Sequence, residues 1–469
     1  MHRQRRVKII ATLGPASSSP EMVKALFIAG ADVFRINMSH LKPVDLPPLV
    51  AMIRACEADM NRSIGILVDL QGPKLRVGTV SEGVILDHGA TFTFDHDNAI
   101  GDQTRVFLPH PDIFSAVQPD HELLIDDGKL RLRVTDVTPH HIRTQVIVGG
   151  ALKSRKGVSL PDTLLPLSAM TPKDHIDVKA ALETDIDWIA LSFVQQVSDI
   201  LALKEITQGR VGIMAKIEKP QAITSLDAII EAADAVMIAR GDLGVELPLE
   251  KVPGLQKRIT RLARRQGRPV VVATQMLESM INTPTPTRAE VSDVATAVFE
   301  GADAVMLSAE SAAGQYPIEA VAMMSRIAEE VEEDPLHRTI INSQRLEPEA
   351  TGADAIAAAA RTMSETLVAK TIVAWTSSGS TTLRVARERP QVPILTLTPY
   401  AHIARRLALV WGVHAVIARD ATDPDDMAMR AASYALNEGF ANKQDRIVVI
   451  AGVPFGTSGS TNLIRLLKV

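Results

Sequence analysis

The chain has 469 residues, of which 46% are hydrophobic and 22% charged, and a formal net charge of -5, a composition that describes a soluble globular protein of two or three domains. The negative balance provides no basic field for nucleic acid, and no apolar run has the length needed to span a bilayer, so neither is expected as a partner. The single cysteine, Cys56, excludes an intrachain disulfide and fits a reducing compartment, which points to the cytoplasm.

The first element is a short apolar run at 7–13 behind a basic start. It contains Lys8 and runs into Gly14-Pro15, so it reads as a core strand and not as a signal peptide. Further apolar runs follow at 33–37, 64–69, 188–193, 211–218, 235–239, 270–274 and 304–308, most of them trailed by a helical pattern. Near-continuous apolar strands alternating with helices predict a parallel sheet covered on both faces, and eight of them predict a closed barrel. Catalytic groups in such barrels sit at the C-terminal strand ends, where Glu218, Asp242, Thr274 and Ser308 would meet at one mouth.

On the second strand Arg35, Asn37 and Ser39 alternate with apolar neighbours and share one face. They could bind phosphate and a cation, or form a polar layer satisfied within the barrel. Asp69 to Arg76 reads Asp-Leu-Gln-Gly-Pro-Lys-Leu-Arg, a hinge carrying Lys74 and Arg76. Between 76 and 156 the pattern turns to alternating strands with turns at Asp126-Asp127-Gly128 and Gly149-Gly150, which predicts an inserted small β domain able to act as a lid.

The segment 213–218, Ile-Met-Ala-Lys-Ile-Glu, places Lys216 and Glu218 on one face of a strand. The segment 237–246 ends an apolar run at Asp242 between Gly241 and Leu243-Gly244. Two carboxylates and a fixed ammonium suit Mg2+ and phosphate chemistry, although strand-end carboxylates also serve as helix caps. Gly241 allows close backbone approach to a ligand. Thr274 could donate to a reacting centre or be structural.

The acidic stretch 332–334 with Pro335, and the polar run to Gly352, read as an interdomain linker. Strands at 371–374, 394–397, 415–417 and 446–451, alternating with helices such as 354–367 and 401–409, then predict a doubly wound domain. Its loop Thr376, Ser377, Ser378, Gly379, Ser380, Thr381 follows a strand and opens a helix, as a phosphate loop or a plain Ser-rich turn.

From Lys8-Ile-Ile-Ala-Thr-Leu-Gly-Pro15 to its last residues, through the Lys216, Asp242 and Thr274 segments, this sequence resembles the pyruvate kinase family. The resemblance implies a (β/α)8 TIM barrel with an inserted small β domain (lid) and a C-terminal α/β regulatory domain. The expected bounds are 1–72 and 168–340 for the barrel, 73–167 for the lid and 341–469 for the last domain. It implies phosphoryl transfer from phosphoenolpyruvate to ADP in a homotetramer. Glu218 and Asp242 would hold Mg2+ or Mn2+, Lys216 would stabilise the group in flight, and Arg35 would contact the transferred phosphate. Gly241, Asp242 and Thr274 would meet the substrate, Asn37, Ser39, His40, Arg76 and Lys156 the nucleotide, and Thr274 with Ser308 the proton-donating network.

Most members hold K+ with groups corresponding to Asn37, Ser39, Asp69 and the carbonyl of Leu70, and carry a glutamate where this chain has Lys74. Lys74 with Leu70, Gln71 and Val77 resembles the branch that works without K+, so K+ is expected not to be required. Leu41 and Ser308-Ala309-Glu310-Ser311 are further departures from the usual motifs. A sugar phosphate or other phosphorylated effector is expected at 376–381. The rival readings are a Mg2+-dependent pyruvate-enolate aldolase or lyase barrel, which needs no nucleotide lid, and a metabolite sensor, which would be expected to have lost Lys216, Glu218 or Asp242.

Overall fold

The computed structural model describes residues 2–165, 168–345, 347–454 and 459–469. Eight strands, β1 Lys8–Leu13, β2 Val33–Asn37, β3 Gly65–Asp69, β4 Trp188–Leu191, β5 Gly212–Ile217, β6 Ala235–Ala239, β7 Val270–Ala273 and β8 Ala304–Leu307, close into a barrel in the order β1-β8-β7-β6-β5-β4-β3-β2. Every pairing in it is parallel. The strands stop one to two residues earlier than the apolar runs suggest at 193, 218, 274 and 308, so Glu218, Thr274 and Ser308 stand in the loops just past the ladder.

Alternation along the strands separates two apolar sets. Ile10, Leu67, Ala190, Met214, Met237, Val271 and Met306 form one buried cluster, while Ile9, Ile36, Val68, Ile213, Ile238 and Val272 pack in another with the helices. The first set also takes in Leu409, a fully buried residue from the C-terminal part of the chain, which closes the barrel floor. The inward positions of the strands turn polar towards the opposite end, at Thr12, Arg35, Asp69 and Lys216.

Between β3 and β4 the chain forms a six-stranded sheet and a two-stranded one. Leu130–Val137 shows the expected alternation, with Leu130, Leu132 and Val134 buried and Arg131 and Arg133 exposed. This part has its own core, including Phe92, Phe94, Leu123 and Ile142. It also contains a short helix, Pro111–Ala116, that the strand pattern gave no reason to expect. The expected lid end at 167 lies outside the described residues.

The linker reading needs correction. The helix Pro317–Glu333 runs through the acidic stretch, and Asp334 then accepts from Leu336 N and caps a second helix, Pro335–Ser343. Glu332 accepts the N–H groups of Arg6 and Val7, the latter at 2.8 Å, so this acidic stretch anchors the entry to β1. The C-terminal sheet has five strands, ordered Val413–Ile417, Ile394–Thr398, Ile372–Trp375, Arg446–Gly452, Thr461–Lys468. The last is antiparallel to its neighbour and was not among the four expected. This domain docks on the barrel floor, where Lys8 Nζ donates to Val413 O at 2.7 Å and Arg389 pairs with Asp303 at 2.9 Å. No helix among the described residues is long and apolar enough to cross a membrane.

Candidate active site

The mouth of the barrel is organised around Lys216. Its ammonium lies 2.8 Å from Glu218 Oε1 and 3.3 Å from Asp69 Oδ1, and donates to Ser192 Oγ at 2.8 Å. Burial alone would lower its pKa, but the Asp69 and Glu218 carboxylates outweigh that and raise it, so it is a fixed cation. Asp69, 1% exposed, also accepts from Arg35 Nε at 2.7 Å. Burial opposes its ionisation, yet Lys216 and Arg35 together hold its carboxyl below the usual range. Arg35 reaches on to Thr12 Oγ1 at 3.1 Å.

Glu218 is 2% exposed and accepts from Phe193 N at 2.8 Å with its second oxygen. Asp242 lies in the first turn of the helix Arg240–Glu246 with its side chain open to solvent. The walls of the mouth still desolvate it and Glu218 repels it, which pushes its carboxyl up to about 6. Two carboxylates that destabilise each other's charge are relieved by a cation, so this pair fits a divalent metal. Among the described residues no group of three or more His, Cys, Asp or Glu could hold one. The remaining ligands would therefore come from substrate oxygens and water, the usual manner for Mg2+.

Gly241 N donates to Thr274 Oγ1 at 2.8 Å, which joins the β6 and β7 ends. Thr274 and Gln275 both have positive φ, 68° and 54°, a left-handed pair that side chains disfavour. Arg240 holds this turn, donating to the carbonyls of Thr274 at 2.7 Å and Gln275 at 3.3 Å, with Asp293 as counter-ion at 2.6 Å. Ser308 N donates to Glu310 Oε2 at 2.7 Å, and Glu310 Oε1 accepts from Leu277 N at 3.2 Å, tying the β7 and β8 loops together.

The other expected residues are less gathered. Asn37 Oδ1 accepts from Ser39 N at 3.1 Å, and His40 is exposed. The carbonyl of Leu70 accepts from Ser192 Oγ at 2.7 Å. Lys74 and Arg76 are both exposed, and Lys74 lies within the electrostatic reach of Asp242, Asp127 and Lys216. Arg76 and Gly157 form an isolated bridge. Lys156 is paired with Asp126 at 2.7 Å, inside the inserted domain. Gly72 at the hinge has φ 67°, and a Cβ there would fall 2.6 Å from the Phe193 ring, so only glycine fits.

In the C-terminal domain the loop 376–381 links the strand Ile372–Trp375 to the helix Ser380–Arg387. Thr376 Oγ1 accepts from Gly379 N at 2.8 Å, and the hydroxyls of Thr381 and Thr461 bond each other at 2.7 Å. Ser377, Ser378 and Ser380 line a small cleft with Asp420.

Sequence reasoning missed Ser192, Phe193, Thr12 and Arg240. A signal for Arg240 was available, since an arginine directly before Gly241-Asp242 interrupts an apolar strand end. Ser192 looks like an ordinary strand-end serine until β3, β4 and β5 are placed side by side.

Known proteins are similar to this chain in sequence along its length. The family model described as "Pyruvate kinase, barrel domain" matches residues 4–321, and "Pyruvate kinase, alpha/beta domain" matches residues 354–467. A protein of Methylorubrum extorquens named "Pyruvate kinase" is 60% identical, covering 100% of this chain and 98% of its own length. Proteins of the same name from Agrobacterium vitis and Geobacillus stearothermophilus are 48% and 40% identical, each over 99% of this chain and over 98% and 80% of their own lengths.

Proposed function

The chain belongs to the pyruvate kinase family, and from that premise we propose how its residues carry phosphoryl transfer from phosphoenolpyruvate to ADP, giving pyruvate and ATP. The aldolase and sensor alternatives yield to the family assignment. The observation that carries the reading is the Lys216 ammonium, held by Asp69, Glu218 and Ser192 and kept charged at the mouth.

Phosphoryl transfer needs charge stabilisation and in-line positioning more than covalent help from the protein. Glu218 and Asp242 would hold Mg2+, which neutralises charge on phosphoryl oxygens when bound. Lys216 supplies a positive charge that needs no reorganisation as the group moves, so its effect falls on the transition state. Arg35, oriented by Asp69 and Thr12, presents its guanidinium to the transferred phosphate. Gly241 and Thr274 bind the substrate carboxylate end, and Thr274 with Ser308 lines the route by which the enolate takes its proton. Asn37, Ser39, His40, Arg76 and Lys156 serve the nucleotide, and 73–167 closes over 1–72 and 168–340 as a lid.

If Lys216 acts on the phosphoryl group, Lys216→Met abolishes ATP formation while proton exchange at the methyl group of pyruvate persists. Near-normal ATP formation would remove Lys216 from this role.

We also propose that the enzyme needs no K+. Asp69 already faces two cations, Arg35 and Lys216, and the Leu70 carbonyl is taken by Ser192. Lys74 sits in the field of Asp242 and supplies the positive charge that K+ would bring. Activity should be equal in buffer free of sodium and potassium and in the same buffer with KCl, and Lys74→Glu should acquire K+ dependence. A Lys74→Glu enzyme indifferent to KCl sinks this reading.

The serine hydroxyls at 377, 378 and 380, which line one cleft, favour a phosphorylated effector on the domain 341–469, and family membership favours a cytoplasmic homotetramer, whose assembly sedimentation would test.

A further inference from the structure

The helix Val252–Arg265 ends in Arg261, Arg264 and Arg265. Arg261 and Arg264 line a cleft of about 320 Å3 together with Ser343, Gln344 and Arg345, from the end of the helix Pro335–Ser343. It lies apart from the barrel mouth and from the 376–381 loop.

Arg264 is 5% exposed, and its guanidinium donates to Gln344 Oε1 at 2.8 Å and has no partner for Nε. Among the described residues, no carboxylate forms an ion pair with Arg261, Arg264 or Arg345. The nearest acid acting on Arg264, Asp303, is already engaged by Arg389 at 2.9 Å and by Val270 N at 3.1 Å. Burial, then Arg389 and Arg261, push the Arg264 pKa down to about 9. Gly301 makes room for this guanidinium, because a Cβ there would lie 2.7 Å from Nη1.

A buried cation normally has an anionic partner, and like charges one turn apart on a helix repel. The helix C-terminus favours cations only weakly. Ser343 spends its hydroxyl on Ile340 O, and Gln344 uses its side-chain oxygen on Arg264, so its amide N–H groups are the donors that side chain can offer an anion. Three arginines and an amide around one open polar cleft match an anion with several oxygens, which arginine forks bind well.

We propose that this cleft binds a phosphate-class anion, inorganic phosphate or the phosphate group of a small metabolite, between the end of helix Val252–Arg265 and the linker helix Pro335–Ser343. An anion there joins the barrel to the segment that leads into the C-terminal domain.

The test is the melting temperature of the full chain across a titration of inorganic phosphate against chloride at constant ionic strength. It compares wild type with Arg264→Met and with Arg345→Ala, an exposed position whose replacement leaves folding intact. The phosphate concentration at which the melting temperature begins to rise should be about tenfold or more higher in both variants. In chloride alone Arg264→Met should melt no lower than wild type, because it removes an unpaired buried charge. Superimposable titrations for all three proteins would overturn the site. Repeating the titration with a sugar phosphate separates the two sources: a lower onset than with inorganic phosphate assigns a metabolite, an equal or higher one assigns the free ion.

Discussion

Asp242 and Glu218 share one unfavourable feature, two carboxylates whose charges a cation would reconcile. Desolvation and Glu218 place the Asp242 carboxyl at about 6 before metal binds. Metal must then displace a proton below that pH. The Mg2+ concentration for half-saturation should therefore rise about tenfold between pH 7 and pH 5, measured by calorimetric titration without substrate. A half-saturation that does not move with pH would mean that Asp242 is not a ligand. At this scale Lys216, Glu218 and Asp242 were legible in the sequence because each interrupts an apolar run, where a charged residue has to be doing something. Ser192 and Phe193 were not, since their work consists of contacts between different strands, and for Arg240 the interrupted apolar run marked the residue but not what it holds. Arg240 supports Thr274 and Gln275 through their carbonyls, and backbone acceptors leave no mark on a sequence.

Among elements, the stretch after Glu330 shows how polar composition misleads. Charges at 332–334 suggested a solvated linker, yet one of them holds the β1 entry and another caps the helix Pro335–Ser343. That helix buries His337, 5% exposed, beside Phe299. Burial, with Arg6 and Arg389 nearby, pushes its pKa down to about 4. The unfolded chain takes up this proton near pH 6.5 while the folded one refuses it, so stability is full above 6.5 and falls as pH drops towards 4. At pH 5 the loss from this one ring is about 2 kcal/mol. Urea melts at pH 7 and pH 5 should show His337→Phe losing less stability on acidification than wild type, though not none, because His414 is shifted the same way. Equal losses in both proteins would place the acid sensitivity elsewhere. The helix Pro111–Ala116 escaped for the opposite reason, being too short for a 3.6-residue period to stand out from strand alternation.

For the whole molecule, barrel topology followed from eight apolar runs because a parallel strand buried on both faces can hardly be anything else. The antiparallel strand Thr461–Lys468 was lost because it mixes buried, half-buried and exposed positions, so neither a continuous apolar run nor clean alternation marks it. Nor could the sequence say that Leu409, four hundred positions from Ile10, completes the interior of the barrel. A chain cut after Arg345 keeps every residue assigned to catalysis but loses that side chain and the Lys8, Asp303 and Arg405 contacts around it. It should melt without a cooperative transition and bind a hydrophobic dye, as read by calorimetry and fluorescence, whereas a sharp transition would show the barrel to be self-sufficient.

Leu409 also bears on descent. A regulatory module joined by a tether can be traded between lineages by recombination, because its host survives without it. Here the piece that would be traded completes the host's own interior, so its replacement has to arrive with a matching residue already in place. Exchange of the C-terminal domain alone would leave a gap where Leu409 now packs.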